Sequence, residues 1–137
     1  MRYYLDTNVL IFFLLKDGNL DEDVENLIDD SASIIYASSI VVNEVLHLYK
    51  NGKIGTKLFK SAKDILTTIK EVGFEIRPFT ELHLQTYAGL TTAPNHNDPN
   101  DHAIISQALC EKITLISSDR KFELYRAQGL NFIYNKR

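Results

Sequence analysis

The sequence predicts an α/β domain with a central parallel β-sheet that is flanked by helices on both faces. Short β-branched and apolar runs alternate with stretches whose apolar residues recur at helical spacing. Short connections between these runs favour parallel strands joined by crossover helices. The length of 137 residues fits one domain with its own core, so residues 1–137 are expected to form a single domain.

The first half of the chain is predicted to contain two strands and four helices. Asp6, Thr7 and Asn8 are helix-capping residue types that directly follow an apolar run, so a strand should pass into a helix there. Ser38-Ser39 marks a second such start, and Asn51-Gly52 places glycine where helices often end. In order, the predicted elements are a strand at Arg2–Leu5, helices at Val9–Leu15 and Asp21–Asp29, a strand at Ser33–Ala37, and helices at Ile40–Lys50 and Thr56–Val72.

The second half continues the alternation of strands and helices. Asp98-Pro99 combines an N-cap acid with proline at the first helical position, and Gly129 is expected to end the last helix. The predicted elements are a strand at Phe74–Pro78, a helix at Thr80–Leu90, a loop at Thr91–Asn97, a helix from Asp98 to about Lys112, a strand at Ile113–Ser117, a short helix at Asp119–Ala127 and a strand at Asn131–Tyr134.

Composition and charge narrow the function classes. The net charge of −3 argues against a broad basic groove that binds nucleic acid through phosphates alone, but it does not exclude a nuclease, because a bound metal inverts the local charge. The basic run Asn135-Lys136-Arg137 is expected to be a solvated terminus. A single cysteine, Cys110, is expected to pack in the core. With no basic leader before the apolar Val9–Leu15 run, we expect a cytoplasmic protein without a membrane span.

Four acids stand at separated places where a strand meets a helix or just inside a helix: Asp6, Glu44, Asp101 and Asp119. Ligands bind outside the carboxyl ends of the strands in open α/β sheets. Carboxylates that converge there repel one another, and a hard cation such as Mg²⁺ or Mn²⁺ would offset that repulsion. The four acids are therefore the candidate metal ligands and catalytic residues.

Each acid also has a purely structural interpretation. Asp6 could cap a helix, although Thr7 could cap equally well and leave the carboxylate free. Glu44 lies at the edge of an apolar stripe, and its alternative is an exposed helix face. Asp98 and Asp101 fit a capping arrangement in which Asp98 is the natural cap, and Asp119 could cap as well. The four histidines, which are His47, His83, His96 and His102, lack zinc-site spacing. His96 and His102 adjoin the acids and could touch substrate, but a surface position is favoured for both.

In this order and spacing, four stretches resemble the PIN-domain family and, within it, the VapC-like toxins of bacterial toxin–antitoxin pairs. The stretches are Leu5–Leu10, Glu44 in its helix after Ser38-Ser39, His96–Ala108 and Thr114–Phe122. The third is similar to the His-x-Asp-Pro-Phe-Asp-Arg segment of one toxin subgroup. Asn100 stands where that segment has Phe, and His102 stands where it has Arg, which puts substrate contact and packing at this edge in doubt rather than the metal site.

The resemblance implies site residues and an activity. The family's acids fall on Asp6, Glu44, Asp101 and Asp119, with Asp98 as a candidate fifth, and its supporting hydroxyls fall on Thr7 and Ser117. The implied activity is that of an endoribonuclease dependent on Mg²⁺ or Mn²⁺, which leaves a 5′-phosphate and a 3′-hydroxyl. Asp6, Asp101 and Asp119 would hold metal, and Glu44 would hold metal or position the attacking water.

The resemblance also implies partners. It implies a homodimer and a cognate antitoxin that blocks the site, in some toxins of this kind with a basic side chain inserted among the acids. The net charge of −3 suits such a partner.

Other functions remain open. A PIN fold that has lost activity would be a binding module. A receiver-like phosphoacceptor domain would need paired acids after the first strand and a lysine after a late strand, where this chain has Thr7-Asn8 and Ser117-Ser118. A phosphatase of the haloacid-dehalogenase type would need Asp-x-Asp, and Asn8 stands at the second position.

Overall fold

Five parallel strands and six α-helices make up the computed structural model, which describes residues 1–136; Arg137 lies outside the described residues. The strands are β1 Arg2–Leu5, β2 Ile34–Ser38, β3 Glu75–Arg77, β4 Thr114–Ser117 and β5 Phe132–Tyr134. The helices are α1 Thr7–Leu15, α2 Glu22–Asp29, α3 Ser39–Lys50, α4 Ala62–Glu71, α5 Glu81–Gly89 and α6 Pro99–Glu111, and a 3₁₀ helix spans Arg120–Gln128. The predicted α/β class with a parallel sheet is confirmed.

The strand order positions the site. The sheet runs β3-β2-β1-β4-β5, and every neighbouring pair is parallel. The chain therefore moves outward from β1 through β2 to β3, then crosses back to β4 on the other side of β1. With right-handed crossovers, α1–α4 cover one face, and α5, α6 and the 3₁₀ helix cover the other. The carboxyl ends of β1 and β4 form the topological switch point, where such sheets bind ligands.

The core explains why β1 is central. Leu5 on β1 and Leu115 and Ile116 on β4 are fully buried, as are Val9 and Leu10 on α1. Each such side chain contributes about 1.5–3 kcal/mol when it leaves water. A strand that is buried on both faces has consecutive apolar residues instead of alternating apolar and polar ones. Tyr3–Leu5 and Leu115–Ile116 are such buried apolar runs.

One predicted helix is too long. The helical spacing predicts Thr56–Val72, but α4 begins only at Ala62, with Ser61 as its N-cap. Phe59 is instead turned into the core, where its ring contacts Tyr49 edge-on and its carbonyl accepts a hydrogen bond from the Tyr49 hydroxyl at 2.8 Å. Leu58, which supplied part of the apolar pattern, is exposed. Residues 56–58 form only an isolated turn, in which the N–H of Phe59 donates to the carbonyl of Gly55 at 3.0 Å, and the chain becomes helical again at Ala62.

The short helix predicted at Asp119–Ala127 is present as a 3₁₀ helix at Arg120–Gln128, and Gly129, whose φ is +103°, closes it as predicted. Two smaller expectations need correction. Asn135 is not solvated: it is buried, and its side-chain amide donates to the carbonyl of Asn19 and to the Ser118 hydroxyl, each at 2.9 Å. Cys110 is only partly buried.

The structure was also searched for membrane-spanning helices. Within residues 1–136, none of the helices has the length and apolar character needed to cross a bilayer.

Candidate active site

Asp6 and Ser117 face each other across the switch point. Asp6 directly follows β1, and its backbone N–H donates to the carbonyl of Ile116 at 2.9 Å, which extends the pairing of β1 with β4. The Ser117 hydroxyl, at the end of β4, donates to Oδ2 of Asp6 at 2.6 Å. The same hydroxyl oxygen accepts the backbone N–H of Asp119 at 3.0 Å. Ser117 therefore connects two of the predicted acids, as a supporting residue would.

Asp6 both caps α1 and faces the site. Its Oδ1 accepts the backbone N–H of Thr7 at 2.6 Å, so Asp6 is the N-cap. The alternative in which Thr7 caps in its place is wrong, because the Thr7 hydroxyl points to Glu44. A carboxylate has about four lone-pair positions. The two hydrogen bonds from Thr7 and Ser117 therefore still leave both Asp6 oxygens able to accept a further ligand.

Glu44 is half-buried and is held by two neighbours. The Thr7 hydroxyl donates to its Oε1, and the side-chain amide of Asn100 donates to its Oε2 at 3.1 Å. These bonds join the start of α1, the first half of α3 and the start of α6. Asn100 is one of the two departures from the toxin segment, and here it orients one of the acids.

Asp101 projects from the first turn of α6 toward a buried histidine. Nε2 of His96 lies 3.0 Å from Oδ2 of Asp101, and Nδ1 of His96 lies 2.7 Å from the hydroxyl of Tyr125. The exposed fraction of His96 is 2%, so the expectation of a surface histidine is wrong. The residues of the 3₁₀ helix that cover it, Phe122 and Tyr125, explain the burial.

His102, the second departure from the toxin segment, is also buried. Its Nε2 lies 2.8 Å from the carbonyl oxygen of His96, to which it donates, and the two rings meet edge to face with centroids 4.9 Å apart. His102 thus fixes the loop that carries His96. The expectation of a surface position is therefore wrong here too, because His102 is packed against His96.

The remaining two acids occupy cap positions. Asp98 is the exposed N-cap of α6 and accepts the backbone N–H of Asn100 at 2.9 Å, as its structural interpretation predicts. Asp119 caps the 3₁₀ helix by accepting the backbone N–H of Lys121 at 2.9 Å. Asp119 is half-buried and close enough to Asp101 to raise its pKa.

The acids perturb one another. Burial raises the pKa of Asp6 to about 7, against the opposing hydrogen bond from Ser117, and the charges of Asp101 and Glu44 add to the rise. Burial also raises the pKa of Asp101 to about 7, with further contributions from Asp98, Asp119 and Glu44. Burial, with mutual repulsion added, thus favours the protonated form of both carboxyls up to near neutral pH.

These residues fit a hard divalent cation. Ligand atoms of His96, Asp101 and Asp119 all lie within 4.8 Å of one another. Carboxylate oxygens are the donors that Mg²⁺ and Mn²⁺ prefer, and a cation would offset both the burial of the carboxylates and their mutual repulsion, which raise the pKa of Asp6 and of Asp101. His96 is better assigned to holding Asp101, because its Nε2 is already within hydrogen-bonding distance of that carboxylate.

Fold and site together define a class: a five-stranded parallel α/β domain with an acidic cluster at its switch point. Residues 3–128 match the model of the PIN domain family, and the chain belongs to this family. Comparison with curated proteins finds no match.

Solved structures share this fold. One of these structures is VapBC2 from Rickettsia felis bound to a DNA fragment from its promoter. One of its chains is 24% identical to this chain with a TM-score of 0.68, and the match covers 99% of this chain and 100% of that chain. A chain of VapBC-5 from Mycobacterium tuberculosis is 19% identical with a TM-score of 0.66, and the match covers 97% of this chain and 98% of that chain. A chain of FitAcB from Neisseria gonorrhoeae is 22% identical with a TM-score of 0.59, and the match covers 97% of this chain and 96% of that chain.

Proposed function

We propose that this PIN domain is a metal-dependent endoribonuclease and the toxin of a toxin–antitoxin pair. The observation that carries the proposal is the cluster of Asp6, Glu44, Asp101 and Asp119 around the switch point, where burial, with mutual repulsion added, raises the pKa of Asp6 and of Asp101 to about 7. Collecting acids in this way destabilises the fold, so the arrangement is best explained by a cation.

Asp6, Asp101 and Asp119 are assigned to hold Mg²⁺ or Mn²⁺, directly or through water. When bound, such a cation supplies a water of lowered pKa and offsets the negative charge of a phosphodiester. The Ser117 hydroxyl orients the Asp6 carboxylate. His96 orients the Asp101 carboxylate. Asp98, exposed at the rim, is assigned to capping α6 rather than to binding metal.

Glu44 is assigned to positioning the attacking water. Both of its oxygens are oriented by donors, the Thr7 hydroxyl and the Asn100 amide, and each oxygen retains a free lone pair. A carboxylate held in this way can accept a hydrogen bond from water and aim it at phosphorus. Hydrolysis would leave a 5′-phosphate and a 3′-hydroxyl.

The toxin assignment is supported by family membership and by the similarity to chains of VapBC structures, of which VapBC-5 is described as a member of a family of toxin–antitoxin systems. We infer a cognate antitoxin that covers the acids, and a homodimer as the working assembly. The acidic cluster suits an inhibitor that inserts a basic side chain.

The test is cleavage of total cellular RNA with Mn²⁺ and with EDTA, with the cut ends mapped. Wild type should yield discrete fragments with Mn²⁺ and none with EDTA, and both Asp6→Asn and Asp101→Asn should be inactive. Asp98→Asn is the matched control, because it removes a nearby carboxylate that only caps a helix. Cutting that persists in EDTA or in both site variants would contradict the proposal.

A catalytically inactive binding module is the main alternative. It predicts no cleavage of RNA by antitoxin-free wild type with either metal. Single-stranded DNA of matched sequence serves as the second substrate, and its cleavage in place of RNA would overturn the ribonuclease assignment.

A further inference from the structure

A polar groove leads away from the acids along α3. It has a volume of about 290 Å³, and its lining residues are Asn43, Glu44, His47, Lys50 and Asn100. Asn43, His47 and Lys50 share one helical face, because residues three and four apart are neighbours on a helix. Glu44 belongs both to this groove and to the acidic cluster, so the groove is continuous with the candidate active site. At about 1.5 Å per residue, Lys50 lies roughly 9 Å from Glu44 along the helix.

The chain at the far end of this groove is strongly basic. We define the basic segment as residues 50–63, which contain five lysines and no acid: Lys50, Lys53, Lys57, Lys60 and Lys63. All five are exposed, and within residues 1–136 no salt bridge joins any of them to an acid. Since the whole chain carries −3, the residues outside the basic segment carry −8. The positive charge is therefore concentrated in this segment, and Asp64, which directly follows it, is held by the backbone N–H of Lys60 at 3.2 Å.

The basic segment is held in place by its own contacts. The backbone N–H of Lys53 donates to the carbonyl of Leu48 at 2.9 Å, and the N–H of Phe59 donates to the carbonyl of Gly55 at 3.0 Å. The buried Phe59 ring anchors the segment against Tyr49. Side chains on such a fixed backbone form a stable charged surface rather than a mobile tail.

We propose that the groove along α3 and the basic segment beyond it bind the sugar–phosphate backbone of RNA to one side of the bond that is cut. This rests on the proposed ribonuclease function. A strand held at the acids must leave the site along the surface, and four carboxylates repel its phosphates. Lysines bind phosphates by releasing counterions, without regard to sequence. The amides of Asn43 and Asn100 supply donors close to the site.

The experiment measures binding separately from cleavage. A fluorescein-labelled, single-stranded RNA of mixed sequence is titrated with the Asp6→Asn protein in Mg²⁺ at several salt concentrations. The basic-segment variant adds Lys50→Ala and Lys53→Ala. The control variant instead adds Arg2→Ala and Lys70→Ala, which remove the same charge from exposed positions at or before the amino ends of β1 and β3, the opposite edge of the sheet from the acids. Thermal melting checks that each variant is folded, and Asp101→Asn replaces Asp6→Asn if the latter is not.

We expect Lys50→Ala/Lys53→Ala to weaken binding about tenfold at low salt. The slope of log Kd against log salt should also become shallower, by about 0.7 for each phosphate that the protein no longer neutralises. The control variant should bind as the Asp6→Asn parent does. The weakening should be similar for RNAs of different sequence.

Equal binding by the two variants would overturn this proposal. If wild type still cleaves RNA in that case, the ribonuclease function stands without it. If wild type neither binds nor cleaves RNA, the ribonuclease function fails as well. If the basic-segment variant keeps its affinity for RNA but loses affinity for an acidic peptide or an antitoxin, the groove binds protein. The RNA proposal is then wrong.

Discussion

Nε2 of His96 lies 3.0 Å from Oδ2 of Asp101, while Nδ1 of the same ring lies 2.7 Å from the Tyr125 hydroxyl. The hydroxyl oxygen also accepts the backbone N–H of Ala93 at 3.0 Å. If Tyr125 donates its proton to Nδ1, then Nε2 carries a proton and donates it to Asp101. Every polar atom in this series of hydrogen bonds then has a partner. His96 is therefore a positioning residue for the Asp101 carboxylate.

Substituting His96 should weaken metal binding. His96→Leu removes the donor to Asp101, and removal of such outer partners usually costs 10–100-fold in metal affinity. Tyr125→Phe is the milder control, because it keeps the imidazole and removes only its hydrogen-bond partner. Calorimetric titration with Mn²⁺ measures both. Unchanged affinity in His96→Leu would show that Asp101 does not depend on this hydrogen bond.

Stability without metal should fall as the pH rises. The pKa of both Asp6 and Asp101 is raised from 3.8 to about 7, so the folded protein binds more protons than the unfolded chain between these values. Their contribution is present below about pH 4 and is lost as the pH rises through about 7. In EDTA, Tm should fall by about 2–4 °C for each kcal/mol of stability that disappears.

Melting curves of wild type in EDTA from about pH 5 to about pH 8 test this linkage. The Asp6→Asn/Asp101→Asn double variant should show a flatter dependence, because its amides do not titrate. Saturating Mn²⁺ should restore wild-type Tm most at the higher pH. Parallel pH profiles for wild type and the double variant would contradict this linkage.

The Thr7 hydroxyl should matter for activity rather than for folding. Thr7→Val removes the donor to Glu44 but keeps the shape of the side chain, whereas Thr7→Ser keeps the hydroxyl. Glu44 would then be held by Asn100 alone. We expect the rate of RNA cleavage to fall about tenfold or more in Thr7→Val and to stay near wild type in Thr7→Ser. Similar rates in both variants would refute the role of this hydroxyl.

Gly55 should be essential to the shape of the basic segment. Its φ is +62°, and a Cβ there would lie 2.9 Å from the Phe59 ring. Gly55→Ala should therefore lose more stability than the roughly 1 kcal/mol that a left-handed backbone alone costs. Gly52→Ala is the matched control, since its φ is +70° and no atom lies near the added Cβ. Urea unfolding compares the two, and equal destabilisation would show that Phe59 is not the cause.

Much of the fold follows from local patterns. The alternation of apolar runs with helical spacing predicts all five strands, and capping residues such as Asp98-Pro99 locate helix starts to within a few residues. The switch point then follows from strand order, which explains why acids after β1 and β4 lie together. Asp6 and Asp119 could be foreseen on this basis.

Other features depend on tertiary packing. The burial of His96 depends on Phe122 and Tyr125, which lie more than twenty residues away, so no local pattern indicates it. Leu58 and Phe59 mimic helical spacing, although the two glycines before them, Gly52 and Gly55, are signals of a turn. The five lysines of the basic segment are visible in the sequence, but only the structure shows that, within residues 1–136, none of them forms a salt bridge.

The most direct measurement is calorimetric titration of Mn²⁺ into metal-free wild type, Asp101→Asn and Asp98→Asn at about pH 8, where both raised carboxyls are ionised. We predict binding to wild type, at least tenfold weaker binding to Asp101→Asn, and nearly unchanged binding to Asp98→Asn. Equal affinity in all three proteins, or no binding to wild type, would contradict the claim that the acids at the switch point form a metal centre.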